Sequence, residues 1–321
     1  MKKQLTLALK GMAMGIAEII PGVSGGTIAF ITGIYEELLL SIRGILSPEP
    51  IAAWRKDGLG GAWRAVNGAF LLTLLSGMVA GVVIATFTIT GLLERYPPVV
   101  WAFFFGLIIA SAIYIGRQID RWRWQEVVLL LLGLGGAYLL TISPVLEGST
   151  SPVIVFLAGA VAISALILPG ISGSFILLLL GMYTVVLPAL RGLLSGDTAY
   201  AGTVFFFGLG CLTGLALFSR LLTWTFRRFP NPTFAVLTGF MLGSLPQLWP
   251  WRRIVSTRID SAGEVMPVQT APVWAADYTQ GEPYVAAVVI ALICGLAIVF
   301  VLERLGRDEG VEEVIKEEEI L

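Results

Sequence analysis

Apolar residues along this chain run in blocks, without the alternation of a half-buried strand or the three-four spacing of a soluble amphipathic helix. The blocks cover about residues 4–20, 27–46, 68–93, 98–116, 126–142, 152–168, 173–194, 202–226, 232–249 and 283–302. A helix needs about 20 residues to cross about 30 Å of hydrocarbon, so the pattern predicts a polytopic membrane protein of all-α class. The first block is too short to span. Between Lys10 and Pro21 a helix rises only about 16 Å. Pro21 cannot extend a helix, and Gly22, Gly25 and Gly26 tolerate unusual dihedrals, so Pro21–Thr27 reads as a break followed by a second apolar helix from Thr27 to Leu46. Broken backbone cannot face lipid, which makes the segment either a broken span or a re-entrant hairpin.

Polar stretches punctuate the blocks. Residues 47–67 hold Arg55, Lys56, Asp57 and Arg64 beside Trp54 and Trp63, a mixture suited to a surface loop at the membrane interface. A polar insert occupies 250–282. The stretch 303–321, with Glu312, Glu313, Glu317, Glu318 and Glu319, reads as an acidic solvated tail.

The break recurs. Laying 21–47 on 169–195, an offset of 148, matches Pro21 with Pro169, Gly22 with Gly170, Ser24 with Ser172, Gly25 with Gly173, Gly33 with Gly181, Tyr35 with Tyr183 and Arg43 with Arg191. At an offset of 133 the match resumes: Gly77 with Gly210, Gly81 with Gly214, Gly106 with Gly239 and Ser111 with Ser244. The expected organisation is a first repeat at 1–142 (hairpin 5–46, spans 68–93 and 98–116, extra helix 126–142). A second occupies 152–302 (hairpin 152–194, spans 202–226 and 232–249, extra helix 283–302).

Charge placement chooses between the two forms of the break. If both are hairpins that return to their own side, Lys2, Lys3, Arg43, Arg55, Lys56, Arg64, Arg117, Arg121, Arg123, Arg227 and Arg228 share one face with the C-terminal basic residues. Only Arg95, Arg191, Arg252, Arg253 and Arg258 lie on the other. Crossing segments reverse this asymmetry, so the hairpins are favoured, with both termini cytoplasmic. Three full crossings then separate the hairpins, which inverts the repeats and brings the two tips together near the midplane, the plan of a secondary transporter.

Composition narrows the chemistry. The chain is 56% hydrophobic and 13% charged, with a net charge of −1, and the acidic tail and membrane character argue against nucleic acid as a partner. It has no histidine, the commonest general base and transition-metal ligand, and no cofactor or metal is expected. Cys211 and Cys294 lie in apolar blocks without metal or redox spacing and read as packing residues. Met1-Lys2-Lys3 before an apolar run reads as a retained first helix, not a cleaved leader.

The tips carry the candidate site. Ser24, Gly25, Gly26 and Thr27 in the first, and Ser172, Gly173 and Ser174 in the second, offer hydroxyls and exposed amides to an anion at a helix start; the alternative is that the serines simply cap the helices. Glu18, whose counterpart is Leu166, is a candidate proton or cation site, against a structural hydrogen bond. Arg43 and Arg191 either snorkel to headgroups or attract an anionic headgroup, while Lys10 and Arg220 anchor or contact substrate. Tyr35 and Tyr183 read as packing residues.

The run Lys10-Gly11-Met12-Ala13-Met14-Gly15-Ile16-Ala17-Glu18-Ile19-Ile20-Pro21-Gly22-Val23-Ser24-Gly25-Gly26-Thr27, with Gly33-Ile34-Tyr35-Glu36 after it, resembles the bacterial and archaeal polyprenyl-phosphate transporter family. Leu168-Pro169-Gly170-Ile171-Ser172-Gly173-Ser174 is similar to that family's second motif. The resemblance implies a protein of the cytoplasmic membrane that moves undecaprenyl phosphate from the outer to the inner leaflet and so recycles a lipid carrier. The substrate it implies suits the tips, with the phosphate on them and the isoprenoid chain left in lipid through a lateral opening; Glu18 leaves open coupling to H+, to Na+ or to the lipid gradient alone. Two other readings stand beside it. Membrane-embedded polyprenyl-diphosphate phosphatases share a PG-x-S motif, but carry an arginine after the serine where this chain has Gly25 and Gly173, which disfavours hydrolysis. A small-anion transporter on the same inverted plan differs only in substrate.

Overall fold

The computed structural model describes residues 2–18, 24–45, 47–143, 145–259 and 265–318. Its first part comprises α1 (Lys2–Glu18), α2 (Gly25–Ile31), α3 (Tyr35–Ile45), α4 (Glu49–Ala65), α5 (Gly68–Arg95), α6 (Pro97–Gly116) and α7 (Trp124–Ile142). Its second part comprises α8 (Pro152–Ile167), α9 (Gly173–Leu179), α10 (Tyr183–Leu194), α11 (Ala201–Arg228) and α12 (Pro230–Ser244), then strands β1 (Arg252–Ile259) and β2 (Val265–Pro272) and finally α13 (Val285–Glu318). Among the described residues α5, α6, α7 and α11 with its leading 3-10 turn are each long and apolar enough to cross a membrane, and the bent pair α9 and α10 makes a fifth if counted as one span. α8 and the Val285–Val301 part of α13 are apolar but shorter. The protein is thus a helical polytopic membrane protein, and the broad exposure of Leu72, Phe87, Leu132 and Leu217 on these helices is what a hydrocarbon solvent permits.

Two details correct the sequence expectations and two add to them. The apolar stretch from Thr27 to Leu46 is two helices, α2 and α3, because Gly33 at φ 73° ends the first. Gly33 N–H donates to the Phe30 carbonyl and Ile34 N–H to the Ala29 carbonyl, the paired bonds of a left-handed glycine C-cap. Gly181, at φ 68°, does the same after α9, with Gly181 N–H on Leu178 and Met182 N–H on Leu177, and α10 leaves α9 at 110°. The helix that follows each tip is therefore only seven residues long. Second, 47–67 is mostly helix α4, not loop, bent where Gly58 adopts φ 65°. Third, the polar insert carries an antiparallel β-hairpin, with Arg252 opposite Pro272 and Ile254 opposite Thr270, set on an otherwise helical chain of the expected all-α class. Fourth, α13 continues as helix to Glu318 through most of the expected tail.

Lipid gives helices no hydrophobic reason to associate, so small residues and close backbone contact must hold them. The glycines do this in matching places. A Cβ on Gly11 would fall 2.3 Å from the Leu74 carbonyl oxygen, and one on Gly77 2.1 Å from that of Ala8, so α1 and α5 lie backbone to backbone. Gly159 meets the Phe207 carbonyl and Gly210 the Phe156 carbonyl, pairing α8 with α11 in the same way. The other two pairs cross between the halves of the chain. Gly106 of α6 meets Leu292 of α13 and Gly295 meets Phe103, while Gly239 of α12 meets Leu130 of α7 and Gly133 meets Val236. The main core lies where the halves join, with Met14, Ile28, Ile31 and Tyr35 packed among Ile108, Ile167, Leu237 and Met241.

Candidate functional site

Pro21, Gly22 and Val23 of the first tip, with Ile19 and Ile20, lie outside the described residues. The start of the next helix is fully enclosed: Ser24 and Thr27 are 0% exposed. Ser24 is extended (φ −116°, ψ 133°) and accepts from the Gly26 N–H at 3.1 Å, which is the helix-capping role. A hydroxyl both accepts and donates. Ser24 Oγ also donates to the Leu166 carbonyl at 3.0 Å, at the end of α8 in the other half. Glu18, the last residue of α1, turns its Oε1 onto the Gly25 N–H at 2.7 Å. With Thr27 N–H donating to the Ser24 carbonyl, the first three amides of α2 all have partners within the chain.

The two tips touch. Thr27 Oγ1 accepts from the Gly170 N–H at 3.1 Å, and the Tyr35 hydroxyl donates to the Ile167 carbonyl at 3.0 Å. Gly26 is needed for this approach, since a Cβ there would stand 2.5 Å from the Ile167 carbonyl oxygen. Gly170 holds φ 86°, a left-handed conformation, and packs on the backbone of Met241. Three side chains of the first half thus satisfy the broken backbone of the second, the condition lipid imposes on any interruption of a membrane helix.

The second tip is built from the same residues and left more open. Ser172 is extended and 3% exposed, its hydroxyl 2.8 Å from that of Ser174, which is itself exposed. Beside it lies a narrow cleft where Gly170, Ile171 and Ser172 face Thr141 of α7, Ser244 at the end of α12 and Gln247 of the 3-10 turn that follows. Gly173 packs instead against the Ala162 carbonyl of α8. Since α2 and α9 are only seven residues long, each presents two turns, so individual hydroxyls and amides matter more at these tips than a long helix dipole.

The basic candidates lie elsewhere. Arg43 and Arg191 are in the last turns of α3 and α10, Arg220 is exposed on α11, and Lys10 is half-buried on α1. Tyr183 is exposed, unlike Tyr35, whose tether to Ile167 goes beyond the packing role expected of it. Sequence reasoning missed Thr141, Ser244 and Gln247. Only Ser244 carried a signal, its match to Ser111 in the repeat.

Interrupted apolar segments that meet inside a bundle and satisfy each other's backbone are the architecture of a membrane carrier. The chain belongs to the undecaprenyl phosphate translocase-like family, whose model matches residues 14–266. It is 45% identical over 264 residues to a polyprenyl-phosphate transporter of Vibrio cholerae, covering 82% of this chain and 83% of that one. It is 32% identical over 254 residues to a polyprenyl-phosphate transporter of Staphylococcus aureus, covering 75% and 85%. No solved structure matches it.

Proposed function

We propose that this protein moves undecaprenyl phosphate, or a related polyprenyl phosphate, from the outer to the inner leaflet of the cytoplasmic membrane by alternating access around its two tips. The names of its relatives supply the lipid. The observation that carries the mechanism is the pair of cross-tip bonds, Ser24 to Leu166 and Gly170 to Thr27, which close the first tip while the second keeps a cleft. From this state the narrow cleft widens to admit the phosphate to Ser172, Gly173 and Ser174, with Ser244 and Gln247 across it. In the other state the bonds of Ser24, Gly25, Gly26 and Thr27 are released and these groups take the phosphate in turn. Glu18 then leaves the Gly25 amide, which makes it the residue through which H+ or Na+ couples to transport. Arg43, Arg191, Lys10 and Arg220 serve the approach of the headgroup from the two surfaces.

The two repeats, 1–142 and 152–302, are inverted in this reading, with both termini cytoplasmic. Contacts along α7 and α12 advance together, Leu130 with Gly239 and Leu134 with Gly243, so these helices run in parallel. The counterpart of α12 is α6, and α6 and α7 are consecutive spans. Consecutive spans run in opposite directions across a bilayer, so α12 opposes its counterpart, which supports the inversion.

The test is reconstitution in liposomes with undecaprenyl phosphate, reading leaflet exposure and released phosphate separately. Expected is movement without phosphate release, slowed at least about tenfold by Ser172→Ala with Ser174→Ala, the loss of two hydrogen bonds to a charged group. The melting temperature should hold. Phosphate release, or full activity in that variant, overturns the proposal.

A further inference from the structure

Beside the tips, between α6, the turn that ends α12 and strand β2, lies an apolar groove of about 470 Å³. Its walls are Phe105, Leu242, Leu245, Trp249, Val273 and Trp274, a volume and lining suited to a sizeable apolar ligand. The rings are fixed: Phe105 and Trp249 meet edge to face at 5.5 Å, Trp249 and Trp274 at 5.8 Å, and Trp249 Nε1 donates to the Val273 carbonyl at 2.7 Å. At one end stands a cation. Arg252, paired across the hairpin with Pro272 of the groove's rim, lays its guanidinium over the Trp101 ring at 5.1 Å and donates to the Thr270 hydroxyl. Trp101 and Phe105 are four apart on α6 with Cβ atoms about 5–6 Å apart on one face, so the ring beneath the guanidinium neighbours the ring in the groove wall. Trp101 is also one turn from the start of α6 and Phe105 two, which puts the charge nearer the membrane surface and the groove deeper.

A guanidinium has five donors, and a hydroxyl and a ring leave most of that capacity for an anion. Burial pulls the Arg252 group down to about 10, so it is charged at neutral pH yet poorly hydrated. A phosphate monoester supplies the missing anion with a charge between about −1.5 and −2. The far wall of the groove leads to the tip: Leu242 and Leu245 line the groove, while Ser244 and Gln247, from the same stretch, line the cleft beside Ser172.

We infer that Arg252 and this groove form a docking site for a phosphate-headed isoprenoid lipid, with the phosphate on Arg252 and the first isoprene units between Trp249, Trp274 and Phe105. The site holds the lipid at the membrane surface before its headgroup passes Gln247 and Ser244 to the second tip. A branched, unsaturated chain fills a rigid slot of ring edges better than a flexible saturated one, and the groove is too small for more than the first units. The inference rests on the lipid carrier reading of this protein.

The experiment measures, on the same proteoliposomes, equilibrium binding of a photoreactive undecaprenyl phosphate and its leaflet movement. Arg252→Gln should weaken binding about tenfold or more, the loss of a charge-assisted contact, and Arg252→Lys should restore part of it. Val273→Trp, which fills the groove from a loop outside the spans, should weaken binding comparably with an unchanged melting temperature. Dipalmitoyl phosphatidate and free phosphate should compete poorly. If the wild type moves no polyprenyl phosphate, the carrier reading fails. If it moves the lipid while both variants bind it as tightly as wild type, the docking inference fails. Equal competition by phosphatidate also overturns it, making the groove a general site for acidic lipid.

Discussion

Thr27→Val replaces a hydroxyl by a methyl of nearly the same volume at a residue with no exposed surface, so packing is kept and one acceptor is lost. The orphaned group is the Gly170 N–H, now 3.1 Å from Thr27 Oγ1. Gly170 lies tight on the Met241 backbone, where an added Cβ would come within 2.8 Å, so the amide has little room to recruit water. Side-chain hydrogen bonds inside membrane proteins contribute about 0.6 kcal/mol on average and about 1.7 at most. A bond present in only one access state holds that state by this amount, so its loss shifts the balance about 3- to 20-fold toward the other state. Pairs of spin labels across the tips would read the shift as a change in the populations of two distances, beside the leaflet-exchange rate of the same variant. If the populations stay fixed while the melting temperature falls by the equivalent of the lost bond, Thr27 and Gly170 are joined in both states. The cross-tip bonds would then be structure and not gate.

Other substitutions probe the rest of the argument. Gly77→Ala and Gly210→Ala place a Cβ 2.1 and 2.0 Å from a facing carbonyl oxygen, so each should cost about 1–3 kcal/mol in reversible unfolding. Costs that differ by more than about 1 kcal/mol would deny that α1 with α5 and α8 with α11 are equivalent pairs. Glu18→Gln keeps an oxygen for the Gly25 N–H but removes the charge, so it should fold normally and lose the response of transport to an imposed H+ or Na+ gradient. A preserved response would remove Glu18 as the coupling residue.

The features legible in the sequence were those that glycine and proline dictate. Pro169 and Gly170 mark a real break, and the offsets 148 and 133 pair Gly33 with Gly181 and Gly77 with Gly210, which occupy the same structural roles. The second break was also signalled, since a glycine between Thr32 and Ile34 is a helix C-cap in waiting, but uniform apolarity on either side hid the stop. In lipid every face of a helix is apolar, so periodicity cannot say which helix meets which. The partnership of α6 with α13 and α7 with α12 was therefore invisible, although the glycines that make it were in view. The β-hairpin was masked by its mixed composition, with Arg252, Arg253, Ser256 and Thr257 on one strand and Pro267 on the other. The closure of the first tip was hidden for a different reason: sequence shows which residues can bind an anion, not that Glu18 and Ser24 already hold those amides.

The exchange of partners between the halves also bears on how the chain is made. α7 enters the membrane with its glycine seam bare and meets α12 only after about ninety further residues are synthesised; α6 waits for α13, the last of the described helices. At 5–20 residues per second that delay for α6 is roughly 10–30 s. During it the unpaired seam is open to any other small-residue helix in the bilayer. Newly made protein is thus open to wrong pairing while still on the ribosome, and an insertion chaperone that shields α6 and α7 should raise its yield.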